Sequence, residues 1–441
     1  MLNRRLFLAG SASFASLPLL GGLAGCNQQQ RLRLIGEDSS NLAAIRAVLP
    51  QFGERSGIET VADATDFTTL FTQANTDFAN GSGRFDIVLQ YNFSLSPYTR
   101  NRYVVTTEEL KQSNPELDYS FEADLLPNVW RELGYYAQPP FTNFDNPVPI
   151  AYPFAANTMV LVYNKELLRK PAIAEALRRA FGKPFEIPRT WEELALAARA
   201  VREVNHDYYG IALQGASGGW LYYEWVNFLF GMGGKVMNKS YGWQSDLSTP
   251  LTLRSPQADQ AAALYLSLRH ANAGDFFSVD ATKQRDLMLE RDVAYAIMWT
   301  DYLPDLVKEE GVFGFAPIPG DKSMIAGGSF FVNRKSEKRA QATSLINYLL
   351  SRRIQKQMAL QGLFPPTRPA LQDTDVGTMA YMPAVRESLA RGVYMLEAGP
   401  DSDLIQQEIT SALQLAWRRR ITPQEVASTA TAAIAAKRPG L

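Results

Sequence analysis

Trp220, Tyr223 and Trp225 crowd into six residues, and Trp299 is followed two positions later by Asp301. Ring faces of this kind stack on the apolar C–H surface of a polyhydroxylated ligand, while planar carboxyl and amide groups pair with its hydroxyls. Helical spacing puts Trp220 and Tyr223 on one face and turns Trp225 partly away, so Trp225 is expected in the core. Glu37 with Asp38, and Gln90 with Tyr91, add polar groups at the ends of two predicted strands. Each has a structural alternative: Glu37 and Asp38 can cap the helix that follows them, and Trp299 can simply fill a core. Only two histidines, His206 and His270, and one cysteine are present, which argues against a His/Cys metal site or a Ser-His-Asp triad. Both histidines read as surface or helix-end residues. No GxGxxG, GxxxxGK[ST] or HExxH motif occurs, so neither a cofactor nor a metal is expected. Carboxylates are plentiful, and a carboxylate-pair hydrolase is not excluded by inventory.

The elements that must position these residues alternate strand and helix. A strand over 31–35 leads through a polar loop into a helix over 41–55. Strands at 58–61 and 85–89 enclose a helix over 67–80. This pattern predicts an α/β fold, with ligands bound outside the carboxyl ends of the strands, where Glu37-Asp38 and Gln90-Tyr91 fall. The proline-rich stretch from Gln138 to Pro149 reads as irregular chain. Beyond it come strands at 158–163, 209–213, 293–299, 313–317 and 329–333. Thr190 and Glu193 form a capping box before an apolar helix, and an aromatic helix covers 220–232. Helices are also expected over 256–270, 282–290, 337–350, 353–361, 403–417 and 423–436.

Composition narrows the partners. The 441 residues carry 44 basic and 45 acidic side chains, so no net field draws in nucleic acid or an anionic surface. Aromatic residues make up 11 % of the chain, with 19 tyrosines, which suits neutral hydroxyl-bearing ligands as well as core filling. Met1 to Gly25 has the basic start, apolar middle and small-residue end of an export signal. Leu23-Ala24-Gly25-Cys26 resembles the lipobox of bacterial lipoproteins, which implies acylation of Cys26 and a membrane-tethered, water-soluble body. Asn3-Arg4-Arg5-Leu6-Phe7-Leu8 resembles a twin-arginine export signal. Removal of the signal leaves about 415 residues, enough for two or three domains.

Several segments, in order, carry a wider resemblance. They are Asn157 to Lys165, Pro188-Arg189-Thr190-Trp191-Glu192-Glu193-Leu194, Gly231-Met232-Gly233-Gly234, Ala326-Gly327-Gly328-Ser329 and Gly362 to Arg368. Together they resemble the extracellular solute-binding proteins of bacterial ABC importers, in the carbohydrate-binding group that includes maltose-binding protein. The resemblance implies a periplasmic-binding-protein type II fold, two α/β lobes with a ligand cleft between them. Lobe 1 would hold 31–150 plus 320–370, and lobe 2 would hold 151–319 plus 371–441. The implied function is capture of a mono- or oligosaccharide, or a related polyol, and delivery to an ABC permease, without catalysis. An exported, lipid-anchored monomer on the periplasmic or cell-surface side of the membrane is expected. The resemblance also places Asn157 at a lobe crossing facing the cleft, where the alternative is an Asx turn starting the strand, and makes Arg368 a contact. Gly327, Gly328 and Ser329 can bring backbone N–H groups near a ligand or equally form only a tight turn. Two alternatives stay open. Glu37, Asp38 and Asp301 keep alive a non-sugar solute such as a polyamine, organic acid or phosphorylated compound. An exported glycosidase would need two carboxyls about 5 to 9 Å apart across a bound sugar.

Overall fold

The computed structural model describes residues 31–141, 146–239, 244, 247–320, 322–391, 394–395 and 399–438. The signal segment and Cys26 lie outside the described residues. Nine strands form the two main sheets: β1 (Leu32–Glu37), β2 (Thr60–Thr65), β3 (Ile87–Tyr91), β4 (Tyr152–Ala155), β5 (Met159–Asn164), β6 (Tyr209–Ala212), β7 (Val293–Trp299), β8 (Phe313–Pro317) and β9 (Gly328–Val332). The first sheet runs in the order β2-β1-β3-β9-β4 and the second β8-β5-β7-β6.

In the first sheet β1 is parallel to β2 and β3, while β9 runs antiparallel to β3 and to β4. The carboxyl ends of β1, β2, β3 and β4 therefore share one edge with the start of β9. Successive strand residues point to opposite faces. Leu34, Ile87 and Leu89 join a core with Leu42 and Ile45 from the helix Ser40–Ser56 and Leu345 from the helix Arg339–Leu350. Ile35, Val88 and Phe331 join a second core with Leu70, Ala74 and Phe78 of the helix Phe67–Asn80.

The second sheet repeats this layering. Leu161 and Ile297 meet Leu194 and Phe228 on one face, from the helices Trp191–Val204 and Trp220–Gly231. Val160, Val162 and Met298 meet Met382 and Val385 of the helix Met382–Ala390 on the other. Because β5 is antiparallel to β7 with Met159 opposite Trp299, the start of β5 and the end of β7 lie side by side. The predicted capping box is present, with Thr190 Oγ1 accepting the Glu193 N–H at 3.1 Å.

Strand pairing moves the expected boundaries. Tyr152–Ala155 belongs to the first sheet through β9, so the chain passes between sheets after Ala155 rather than at 150/151. Met324–Ile325 pairs with Tyr394–Met395, and Ile325 bridges Thr158, so the return passage falls near Ala326 rather than at 320. The two passages are sewn together: the Ala326 N–H donates to Asn157 O at 2.8 Å and the Thr158 hydroxyl donates to Met324 O at 2.8 Å. Leu363 joins the first core and Phe364 reaches the core of the second sheet, but the chain stays beside the first to Thr367, which bridges Leu125, with the Leu126 N–H donating to Pro366 O at 2.9 Å. Tyr135–Tyr136 pairs with Val148–Pro149 in a short antiparallel ribbon, so the expected irregular chain gives way to a strand at 148–149.

Candidate ligand-binding cleft

A cavity with an empty volume of about 430 Å³, part of it open to solvent, lies where the facing ends of the two sheets meet. From the first sheet come Glu37 at the end of β1, Phe67 just after β2, and Tyr91, Asn92 and Phe93 at the end of β3. From the second come Trp299, Asp301 and Tyr302 after β7, with Trp220 and Tyr223 from the start of the aromatic helix. Asn157 and Ala326 contribute from the two stitched passages.

The rings form a continuous wall. Trp299 meets Tyr223 edge-on at 5.8 Å between centroids, Tyr223 meets Trp220 at 6.3 Å, and Trp220 meets Phe67 at 5.3 Å. Phe67 continues the wall to Tyr91 at 5.6 Å and to Phe93 at 6.0 Å. Tyr223 takes its place because Gly219, the residue capping its helix, adopts φ 99°, and a Cβ there would lie 2.8 Å from the tyrosine ring.

Two carboxyl groups share the cavity. Glu37 accepts hydrogen bonds from the Tyr91 hydroxyl and, at 3.5 Å, from the Tyr302 hydroxyl. Burial, and then the nearby Asp301 charge, push the Glu37 carboxyl up to about 8. Asp301 is 8 % exposed, and burial raises its carboxyl to about 6, opposed by its backbone N–H and the Asn157 side chain. Asp301 Oδ1 and Trp299 Nε1 have no hydrogen-bond partner among the described residues. Among these residues no group of three or more His, Cys, Asp or Glu side chains could hold a metal ion.

Seven of the residues expected from sequence are thus brought together: Glu37, Tyr91, Asn157, Trp220, Tyr223, Trp299 and Asp301. Asp38 is exposed and lines a neighbouring hollow with Asp66, Asp280 and Arg285. Besides Asp38, five expected contacts do not line the cavity. Gln90 is 1 % exposed because β9 extends its pairing to Ser329↔Gln90 and Gly328↔Tyr91, which draws Gln90 into the sheet. Gly327 and Gly328 serve chain approach instead: a Cβ on Gly327 would lie 2.2 Å from Ala155 O, and one on Gly328 would lie 2.3 Å from the Phe154 ring. Ser329 is buried and donates to Leu133 O at 2.8 Å. Arg368 is exposed at the first turn of the short helix Arg368–Gln372. Trp225, 1 % exposed, is in the core as expected, and both histidines are exposed.

Residues 36–356 match the family described as bacterial extracellular solute-binding protein. The chain belongs to that family. Among curated proteins, this solute-binding protein is 26 % identical over 242 residues to a probable ABC transporter-binding protein of Deinococcus radiodurans. That match covers 52 % of the chain, which spans about half the length of this relative (53 %). Among solved structures, an ABC transporter solute-binding protein of Agrobacterium radiobacter K84 in complex with ribitol aligns with a TM-score of 0.74 at 22 % identity, covering 91 % of this chain and 97 % of that one. Maltose-bound MalE3 of T. maritima aligns with a TM-score of 0.75 at 17 % identity, covering 92 % and 99 %. At these identities the likeness shows the fold, a mixed α/β solute-binding protein of two lobes.

Sequence reasoning missed Phe67, Asn92, Phe93, Tyr302 and Ala326 of this solute-binding protein. Phe67 was legible only as the first residue of a helix capped by Asp66, whose carboxylate accepts the Thr69 N–H at 2.9 Å. Its place directly after β2, at the ligand-facing end of a parallel strand, was the available signal. Tyr302 follows Asp301 by one residue, and only the turn Thr300–Tyr302 swings its phenol back over Glu37.

Proposed function

We propose that this solute-binding protein captures a sugar or polyol between its lobes and delivers it to the permease of an ABC importer. One observation carries the reading: a cavity walled by aromatic rings from both sheets, in which the buried Trp299 Nε1 and Asp301 Oδ1 have no partner among the described residues. Such a surface offers stacking faces to C–H groups and directed hydrogen bonds to hydroxyls. The ribitol and maltose in the two aligned structures, and the name of the Deinococcus relative, support the class.

In this reading the lobes are 31–155 with 327–370, and 156–326 with 371–441. They close about the stitched passages at Asn157 and Ala326. The protein acts as a monomer and by binding alone. After export it is held by acyl chains on Cys26 at the periplasmic or cell-surface face of a membrane. Among the described residues no helix is long and apolar enough to cross that membrane.

The test is a thermal-shift series with ribitol, maltose and their relatives, followed by calorimetry. A ligand at one hundred times its Kd adds about 2.7 kcal/mol to the native state. A screen in which no sugar or polyol raises the melting temperature would overturn the reading.

A further inference from the structure

The cavity holds two carboxyl groups and, among its described lining residues, no Lys, Arg or His. The basic side chain lining the adjoining hollow is Arg285, which is already engaged by Asp286 at 2.8 Å and Asp305 at 3.0 Å. Acid pairs taken out of water without a counter-charge are unfavourable, and each carboxylate makes the other harder to ionise. Asp301 is more than nine-tenths buried, yet its Oδ1 has no partner among the described residues. The same cavity is lined by the rings of Tyr91, Trp220, Tyr223, Trp299 and Tyr302. Electron-rich rings beside acid groups that lack a counter-charge favour a cation.

We propose that the ligand is a polyol or sugar bearing a protonated amine, with its ammonium group held between Glu37 and Asp301 against the aromatic wall. This rests on the sugar-or-polyol reading above and narrows it. The hydroxyls meet Asn157 and Trp299 Nε1, and the ammonium supplies the charge the cavity lacks.

The acid pair then makes binding sensitive to pH. The groups acting on Glu37 are Asp301, Asp66 and the hydroxyls of Tyr91 and Tyr302; the Asn157 side chain acts on Asp301, and Asp280 lies near Tyr302. With both carboxyls raised by burial, the free protein carries a proton at neutral pH that an incoming ammonium displaces. Affinity for the amine rises with pH between about 6 and 8, by up to roughly tenfold per pH unit, with release of up to about one proton. A primary alkylamine stays protonated across that window.

The experiment is calorimetry of the full chain with matched probes: 1-amino-1-deoxysorbitol against sorbitol, glucosamine against glucose, and putrescine. Each is run at pH 6, 7 and 8 in buffers of different ionisation enthalpy. The expected result is at least a tenfold preference for the amine within one pair, with a buffer-dependent enthalpy for 1-amino-1-deoxysorbitol. Asp301→Asn and Glu37→Gln, checked for folding by melting temperature, should collapse the amine-to-neutral ratio; an unchanged ratio in both overturns the ammonium site. Neutral probes binding as tightly as their amines overturns the inference and leaves the sugar reading standing. Putrescine binding while every hydroxylated probe fails overturns the sugar reading itself. No binding by any probe overturns the inference.

Discussion

The Tyr302 hydroxyl lies 3.5 Å from Glu37 Oε1, joining the turn after β7 to the end of β1 across 265 residues of sequence. At that length the bond is weak, but it spans the cavity from one sheet to the other. It also favours the charged form of Glu37, against the larger effect of burial.

Tyr302→Phe removes this span and keeps the ring. Small-angle scattering of the unliganded variant should give a larger radius than the parent, with equal radii once a ligand saturates both. The affinity loss should be modest, within about 1 kcal/mol or fivefold. Identical unliganded radii would show that the bond does not hold the lobes.

Loss of a ring should separate binding from folding according to burial. Trp220 is half-buried, whereas Tyr223 and Trp299 are 5 % and 7 % exposed. Trp220→Ala should lose about 1 to 3 kcal/mol of ligand affinity, ten to a hundredfold, with little change in melting temperature. Trp299→Ala and Tyr223→Ala should lose affinity and also stability, because large-to-small changes at packed sites leave a void. A Trp220→Ala protein that melts early yet binds normally would remove this residue from the site.

Stability should fall as pH rises through neutrality. Glu224 is fully buried and accepts from Gln214 N–H at 2.9 Å, Tyr265 Oη at 2.8 Å and Gln284 Nε2 at 3.0 Å. Burial, outweighing these bonds, pushes its carboxyl up to about 8, well above the ordinary glutamate value of about 4.5. The native chain therefore keeps a proton that the unfolded chain has already lost. Stability is lost between pH about 4.5 and 8, by at most roughly 5 kcal/mol for this group. Glu37 and Asp301 act in the same direction. Glu109, lowered to about 2 chiefly by its hydrogen bond from Arg334, acts in the opposite sense below pH 4.5. Glu224→Gln should melt earlier at pH 5, since its amide cannot accept from Gln284, yet show a shallower decline to pH 9. Parallel slopes for variant and parent would count against the assignment.

Acylation at Cys26 is checked by mass spectrometry of detergent-extracted protein. The expected species begins at an acylated Cys26, and Cys26→Ser should release the protein from the membrane fraction. An intact N-terminus from Met1 would defeat the lipoprotein reading.

Sequence alone determined the features that depend on neighbours a few residues apart. The helix over 67–80, the strands over 293–299 and 313–317, and the Thr190–Glu193 capping box stand where periodicity and capping put them. Helical spacing also sorted Trp220 and Tyr223 from Trp225, because a helix fixes which side chains share a face. Tertiary structure decided whatever depends on partners far along the chain. Gln90 reads as a loop residue and Ser329 as the start of a strand, and it is their mutual pairing across β3 and β9 that buries both in the sheet. Gly327 and Gly328 read equally as an approach for a ligand or as a tight turn, and the space beside them is taken by Ala155 and Phe154. Conversely, Phe67 and Trp220 become neighbours only when the two sheets face each other. The same holds for Glu37 and Asp301. Either carboxylate alone is an ordinary strand-end or turn residue, and their shared cavity, with its unmet charge, exists only once the distant strand ends are brought to one place.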